Sequence, residues 1–573
     1  DPKSVKGLVK RGVTEVVTPS MSYNDKTCDS PTNSYLCGIH YDKKAIGVAF
    51  IDISTGEFFI SQGDSQEIEK LLQSLSPKEV VVQKKYFREF EQKHPEVAYI
   101  KTYEDWVFKK DYANQTLTEH FGTNSLKGFG IESCEQAVIA AGAALTYMKE
   151  TLHTQLAHIS NVQRINSRNY LWLDKFTIRN LEIVSSPNEN AKTLLSVLNR
   201  TRSSMGLRLL QRWLLLPLLD IEQIKQRQDI VEAFLIDEDL SAATAETISL
   251  IGDLERALSR VAFARVQPAE LVSLKMVIWQ IGKLKELFAN SNNDLIKERG
   301  ERLYACEDLA EYLDKYIDAD APNNIAKGGA IACGVDERLD SFRMLAGNSK
   351  KVIEQIRQKE SETTGITSLK VGYNNVFGYY LEVTNSHKDK VPQNWVRKQT
   401  LANCERYITD ELKELENNII NAQENISQIE SEIYSQVIAK TAEYIDKLKE
   451  DATIVAQADC LLSFATVARQ YSYTKPTITS GAKITIKQGR HPVIEQSLPS
   501  GEEYVANDVY LDPDTQQICI ITGPNMSGKS AYLRQTALIT LMAQVGAYVP
   551  ARFAEIGVVD RIFTRVGASD NIS

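Results

Sequence analysis

The 573-residue chain has no C-x-x-C pair, no apolar run near the ~18 residues that a membrane-crossing helix requires, and no excess of positive charge. Its eight cysteines, at 28, 37, 134, 306, 333, 404, 460 and 519, are scattered, so neither a disulfide framework nor a zinc site is signalled. Glycine (29) and proline (16) are too few for a collagen-like or low-complexity chain, whereas 43% hydrophobic residues suffice for packed cores. With 66 Lys plus Arg against 75 Asp plus Glu, the net charge of −9 excludes a uniformly basic nucleic-acid binder. Any anionic partner is left to a local basic patch. Asp1-Pro2-Lys3-Ser4 opens no signal peptide, so a cytoplasmic protein with no membrane partner is expected, and the missing initiator Met suggests a cut rather than a natural start. At ~100–200 residues per domain the length predicts several domains.

What is present begins with strand signals. Ser34–Tyr41, Ala45–Asp52 and Glu57–Ser61, with a turn at Ser54-Thr55-Gly56, read as an antiparallel meander, and Gln66–Leu75 as a helix carrying Ile68, Leu71, Leu72 and Leu75 on one face. Glu79–Gln83 reads as a further strand, giving an α/β domain that ends near 145. Asp52 and Glu57 resemble a nuclease pair only superficially, because metal-dependent phosphoryl chemistry needs several convergent carboxylates. They are read as solvated strand-end acids. From Glu132 to about Ile331 the pattern is helical, with Lys192–Leu198, Gly206–Leu215, Ile221–Ile236 and Leu254–Ala264 punctuated by Pro217, Gly252 and Pro268.

Gln393 to Lys475 contains neither Gly nor Pro. Within it Leu412, Leu415, Ile419, Ala422, Ile426, Ile429 and Ile433 step by alternating threes and fours, the seam of a helix packed lengthwise on a partner. A helix from about Asn403 to Lys449 would extend ~70 Å, and Asp336–Ser361, with Leu339, Phe342, Leu345, Val352 and Ile356, supplies the partner. Between the two arms, Thr367–Gln399 reads as a small β-unit. Residues 385–408 hold Lys388, Lys390, Arg397, Lys398 and Arg406 against Asp389 and Glu405, a local charge of +3, while 409–450 carries four Lys and ten acids, a charge of −6. A cationic, amide-rich tip on an anionic shaft suits contact with a phosphate backbone.

Gln516–Thr522 reads as a short buried-type strand running into Gly523-Pro524-Asn525-Met526-Ser527-Gly528-Lys529-Ser530, which fits G-x-x-x-x-G-K-[ST], and a helix follows with Leu533, Ala537, Leu538, Leu541, Met542 and Val545 on one face. At average residue frequencies this pattern arises by chance in such a chain about 2 times in 100. Glycines let the backbone wrap phosphate oxygens, the helix N-terminus supplies positive potential, Lys529 reaches the β/γ-phosphates and Ser530 offers its hydroxyl to Mg²⁺. No hydrophobic strand ending in an acid follows between Ser530 and Ser573; Val558-Val559-Asp560 is too short and reads as a turn region.

The run Ile521 to Leu538, with Gly546-Ala-Tyr-Val-Pro-Ala551 and Arg561 to Asp570, resembles the ATPase domain of the MutS family of DNA mismatch recognition proteins. Arg179-Asn-Leu-Glu182, Met205-Gly-Leu-Arg208, Arg212-Trp-Leu214 and Asp253-Leu-Glu-Arg256 resemble the family's core domain, and Lys370 to Tyr380 with Arg397 to Tyr407 its clamp. The resemblance implies a multidomain α and α/β protein: an RNase H-like connector without nuclease activity, a helical core with long lever helices, a small β clamp inserted between them, and part of a P-loop ATPase domain. The divisions it implies are 1–20 (tail of a mismatch-binding domain), 21–145 (connector), 146–366 (core and lever), 367–428 (clamp), 429–480 (core and lever) and 481–573 (ATPase). It further implies ATP or ADP with Mg²⁺ at Gly523 to Ser530, adenine stacked on Tyr504, and DNA phosphates at Arg397, Lys398, Gln399 and Asn403. Lys388 and Lys390 of the same basic tip are candidate DNA contacts. On the sequence alone Tyr504 reads as half-buried core, and ring stacking is the physical rationale for the other role. Arg490-His-Pro492 matches a family stretch and is assigned a structural role.

Mismatched duplex DNA, a homodimer of the intact protein and a MutL-type partner at the connector are the implied partners. The family reads mismatches with a Phe followed two residues on by Glu; Phe87-Arg-Glu89 has that spacing but lies inside the connector and is read as coincidence. No signature segment or Walker B acids are found before Ser573, so inefficient ATP hydrolysis by this chain is expected. Alternatives are a family member used in recombination, a non-hydrolysing DNA-binding module, and a chromosome-structure ATPase, whose coiled-coil arms would be far longer.

Overall fold

The computed structural model describes residues 18–20, 32–152, 156–186, 191–374, 376, 378–499, 501–524 and 527–565. They fall into two compact units, one drawn from Asp1–Arg265, Met276–Glu307 and Ala442–Ser573, the other from Val266–Lys275 and Asp308–Thr441. Residues 1–17, most of the segment assigned to a preceding domain, lie outside the described residues.

In the first unit, β1 (Leu36–Tyr41), β2 (Ile46–Asp52) and β3 (Glu57–Gly63) form the antiparallel meander, with β3 reaching two residues beyond the expected Ser61. Their apolar residues run almost without alternation because both faces are covered. Cys37, Ile39, Val48 and Phe50 enter one core, and Leu36, Ala49, Ile51 and Phe58 the other. Helix α1 (Ser65–Leu75) starts in a capping box of Asp64 and Glu67 and buries Ile68, Leu71, Leu72 and Leu75. The chain continues through β4 (Glu79–Gln83), α2 (Phe87–Lys93), β5 (Tyr99–Tyr103), α3 (Lys110–Phe121), α4 (Glu135–Leu152) and β6 (Gln163–Arg164). The sheet order is β5-β4-β1-β2-β3-β6, with β4 parallel to β1, β5 to β4 and β6 to β3. Phe87-Arg-Glu89 opens the surface helix α2.

The acids at the β2–β3 turn are not solvated as expected. Asp52 is 0% exposed and accepts from Ser34 N, Ser54 N, the Ser54 hydroxyl and the Asn33 amide. Glu57 takes the Tyr35 hydroxyl, the same Asn33 amide and the Arg212 guanidinium. Alternation in a short strand cannot reveal that neighbouring elements close over its end; hydrogen bonds then compensate the burial.

Next come β7 (Trp172–Leu173), α5 (Lys175–Asn180), α6 (Leu194–Leu198), α7 (Ser204–Leu215), α8 (Ile221–Ile236), α9 (Glu238–Ile251), α10 (Leu254–Ala262), α11 (Pro268–Ala289) and α12 (Asp294–Arg302). Their starts are set locally: Asp174, Thr193, Ser203, Asp220, Asp237, Asp253 and Asn293 each accept a backbone N–H at an N-cap.

The second unit contains α13 (Glu307–Tyr316), α14 (Glu337–Thr364), β8 (Lys370–Asn374), β9 (Gly378–Thr384), β10 (Val396–Thr400), β11 (Cys404–Ile408) and α15 (Asp410–Ala442). The long helix begins at Asp410, not Asn403, because 404–408 forms a strand, and it ends at Ala442 instead of Lys449. At ~1.5 Å per residue its 33 residues span ~50 Å. It runs through residue 428 without a break. Helices α14 and α15 are antiparallel: Lys359 pairs with Glu411 at 2.9 Å and Arg343 with Glu430 at 2.6 Å. Leu412, Ala422, Ile429 and Ile433 of the seam are buried and Leu415, Ile419 and Ile426 half-buried, whereas Leu345 of α14 is exposed. The four strands form an antiparallel sheet in the order β10-β11-β9-β8, packed through Leu381, Val383, Trp395 and Tyr407 against Ile356 and Leu412.

The chain then returns to the first unit with α16 (Ile445–Tyr471), β12 (Thr477–Thr479), β13 (Ile484–Gly489), α17 (Pro492–Glu495), β14 (Asn507–Leu511), α18 (Lys529–Val545), β15 (Phe553–Gly557) and β16 (Arg561–Ile562). Helix α16 is long and apolar enough to cross a membrane by composition, and 83% of that stretch is buried, packed on α7, α8 and α10. A sheet ordered β12-β15-β13-β14 forms, and β16 pairs in parallel with β7. Gln516–Thr522 is not a strand. A single bridge from Gln516 to Asp512 closes a turn, no strand pairs with residues 517–522 among the described residues, and Ile518 and Ile520 are 80% and 85% exposed.

Candidate functional site

Two clusters carry the chemistry singled out in the sequence, one in each unit. In the first unit the loop Gly523–Gly528 leads directly into α18, whose first residue is Lys529. Gly528 sits at the N-cap with φ 84, a left-handed conformation that glycine adopts without penalty, and no side chain among the described residues caps this N-terminus. The Lys529 ammonium donates to the carbonyls of Gly523 (2.6 Å) and Pro524 (2.5 Å), and the Ser527 hydroxyl donates to Pro524 O at 2.8 Å. The lysine head is thus tied back to the first two residues of the loop, with Ser530 following in the first turn of α18. Asn525 and Met526 lie outside the described residues.

Tyr504 is half-buried beside α18, and its hydroxyl donates to Gln535 Oε1 at 3.1 Å. Burial raises its pKa, so the ring stays neutral. Gln535 is fully buried and fills the space that a Cβ on Gly489 would need. His491 caps α17, its Nδ1 accepting from Val493 N and Ile494 N at 3.2 Å, and burial holds its pKa down at about 3. Arg490 pairs with Glu495 at 2.8 Å. The Arg490–Pro492 stretch therefore sets the backbone leading away from β13.

The far end of α18 is fastened to the helical core. Arg227 of α8 donates to Val545 O at 2.9 Å and lies 3.5 Å from the Trp213 ring centroid. Gln544 donates through Nε2 to Leu218 O (2.9 Å) and Val559 O (3.1 Å) and accepts from Val559 N (3.0 Å). Asp560, read as part of a turn region, accepts from Trp172 N at 2.8 Å and leads into β16. The apolar face of α18 departs from expectation at one point: Leu533 is exposed, while Ile539 and the fully buried amide of Gln544 join Leu538, Leu541, Met542 and Val545.

In the second unit the basic residues occupy β10, the 3₁₀ turn at Asn385–Lys390 and β11. They are not equivalent. Arg406 is engaged on three sides, by Glu382 (3.2 Å), Gln399 Oε1 (2.8 Å) and the Tyr380 ring (4.4 Å to its centroid). Lys388 and Arg397 converge on one oxygen, Glu405 Oε1, at 3.0 and 3.4 Å. Lys390 reaches Gly365 O at 3.5 Å. Lys398 stands at a register shift, where Arg397 pairs with Tyr407 and Gln399 with Arg406, so Lys398 faces no residue of β11. It is exposed and forms no ion pair among the described residues. Asn403 lies exposed in the β10–β11 turn, its carbonyl accepting from Asn385 N.

Sequence reasoning counted Glu405 only as a charge. The strand period offered the missing signal, since Glu405 and Tyr407 share one face of β11. Gln535, Arg227 and Gln544 gave no such signal, because their partners are distant in sequence.

Comparison with known proteins places these clusters in context. Sequence models described as MutS domain II, MutS domain III and MutS domain V match residues 33–160, 176–465 and 519–573. The chain is 51% identical over all 573 residues to the DNA mismatch repair protein MutS of Christiangramia forsetii, 50% to that of Flavobacterium psychrophilum and 48% to that of Cytophaga hutchinsonii. It spans 66%, 66% and 67% of their respective lengths.

Proposed function

The chain belongs to the MutS family, and from that membership we propose that it carries the nucleotide loop and a DNA-contacting sheet of an ATP-gated clamp on mismatched duplex DNA. The observation that carries the reading is the glycine-led start of α18, without a side-chain cap among the described residues, and the Lys529 ammonium turned back onto the carbonyls of Gly523 and Pro524. Amides at such a helix start attract phosphate, and the lysine head needs only to leave two carbonyls to meet β- and γ-oxygens. The residues present fit ATP or ADP: the Gly523 to Ser530 segment, including Pro524, Asn525, Met526, Ser527 and Gly528, for the phosphates, and Tyr504, held by Gln535, for adenine. Mg²⁺ would neutralise phosphate charge, with the Ser530 hydroxyl as its ligand from this chain.

Support for the finer architecture is topological. The order β3-β2-β1-β4-β5, antiparallel in its first three strands and parallel after, favours an RNase H-like connector. The antiparallel α14 and α15 flank the small sheet in sequence, as lever helices flank a clamp. Lys388, Lys390, Arg397, Lys398, Gln399 and Asn403 are the proposed contacts to DNA phosphates, read without base specificity. A homodimer and a MutL-type partner at the connector are proposed on family grounds.

The test is binding of ATP and of a mismatched duplex by the 573-residue chain, with turnover measured beside Lys529→Ala. Nucleotide binding lost in the variant supports the loop assignment; unchanged ATP affinity overturns it. Turnover equal in the two proteins would instead identify a non-hydrolysing DNA-binding module.

A further inference from the structure

The basic sheet carries its own counter-anion. Glu405 is 4% exposed, and its two oxygens have separate duties: Oε2 accepts the Tyr407 hydroxyl, while Oε1 faces both Lys388 and Arg397. The carboxylate is therefore anchored from within its own strand. The two cations approach from outside, with side chains 39% and 61% exposed. The Tyr407 hydroxyl and then Lys388 hold Glu405 below the usual carboxylate range, so it is an anion at neutral pH.

We propose that Glu405 competes with DNA phosphates for Lys388 and Arg397, so that the sheet grips duplex DNA partly by exchanging one anion for another. This rests on the reading of the sheet as a DNA contact. Arg406, locked between Glu382, Gln399 and a ring, is too committed to exchange, and Lys398, with no ion pair among the described residues, has no counter-anion to exchange. Among the described cations of the sheet, Lys388 and Arg397 share a carboxylate whose own anchor survives their departure. Without the Tyr407 hydroxyl, a phosphate that drew both cations away would strand a buried charge. With it, the exchange proceeds in small steps. The three groups sum to one positive charge, so they count as about one phosphate in the salt dependence, where a slope near −0.9 per neutralised phosphate applies. A grip weakened in this way releases and re-forms easily along the backbone, whatever the sequence beneath it.

The experiment is fluorescence anisotropy of the 573-residue chain on a mixed-sequence duplex across a salt series. Glu405→Gln is expected to tighten binding at low salt and to steepen the slope by about one unit, a further loss of roughly threefold in affinity between 50 and 200 mM salt. Arg397→Gln is expected to cost more in the Glu405→Gln background than alone, because its charge is no longer offset. Tyr407→Phe, which leaves every charge in place but frees the carboxylate to hold the cations harder, is expected to weaken binding severalfold. Hydrogen-exchange protection of the β9 and β11 amides, which pair across the sheet, reports whether the sheet stays folded. Weaker binding by Glu405→Gln with an unchanged or shallower slope would reduce Glu405 to a positioning residue and overturn the proposal, as would unchanged binding by Tyr407→Phe. If Lys398→Ala still weakens binding in that case, the DNA reading stands alone. A chain with no salt-dependent duplex binding removes both.

Discussion

The Lys529 ammonium is within hydrogen-bond distance of two loop carbonyls, and no acid among the described residues is paired with it. Lys529→Ala should therefore leave the fold intact and weaken ATP binding at least tenfold, since a charge-assisted contact to phosphate contributes ~1.5–3 kcal/mol. Calorimetric titration checks this; unchanged affinity sinks the assignment. His158, whose Nε2 contacts Ile53 O at 2.8 Å, and His491 are both held neutral by burial, at about 3. Unfolded, each titrates near 6.5. The folded values lie below the unfolded one, so their contribution is intact above pH ~6.5 and is lost as pH falls toward 3. At pH 5 the two together remove roughly 4 kcal/mol, at ~1.4 kcal/mol per pH unit each. A urea midpoint that does not fall between pH 7 and 5, or that falls equally in His158→Gln, contradicts this. The phosphate-loop residues were legible because their spacing is local. Glu405 was legible only as one charge in a sum, because its role depends on Lys388, Arg397 and Tyr407 arriving together.

Helices with a heptad-like or 3.6-residue stripe were legible in the sequence as elements, because the stripe is local. The seam from Leu412 to Ile433 lies on one buried to half-buried face of α15, but the helix starts seven residues later than the pattern predicts. A stretch without Gly or Pro can still begin as a strand when its first residues, Cys404 to Ile408, pair with β9 and β10. Tertiary pairing overrides a pattern that is locally ambiguous. Two glycines show how position decides sign. Gly546 ends α18 with φ 91, and a Cβ there would lie 2.5 Å from the Arg227 Cβ. Gly546→Ala should destabilise the first unit by about 1–3 kcal/mol through left-handed strain and collision. Gly347, inside α14, has nothing within 4 Å of a built Cβ. Gly347→Ala should stabilise the second unit by about 0.5–1 kcal/mol. Denaturant titration of both variants checks the pair, and shifts in the same direction would contradict it.

At the scale of the whole molecule, two units with separate cores predict unfolding that is not two-state. Leu381→Ala, in the small sheet, should move one transition and Leu541→Ala, in α18, the other, each by about 2–5 kcal/mol; one shared transition in both variants would show the units to be a single cooperative body. The net charge of −9 gave no hint of this division, and it conceals a sheet whose cations are locked, shared or open by turns. Solution behaviour follows from another feature. The segment Gln517-Ile-Cys-Ile-Ile-Thr522 combines β-prone side chains with no charge and no proline, and its backbone finds no partner strand among the described residues. Such a run is a template for self-association. At high concentration the chain should form β-rich aggregates seeded here, and Ile518→Lys, which changes no buried contact, should delay their appearance in light scattering. The stretch that delivers the backbone to the phosphate loop is thus also a segment open to amyloid-like pairing.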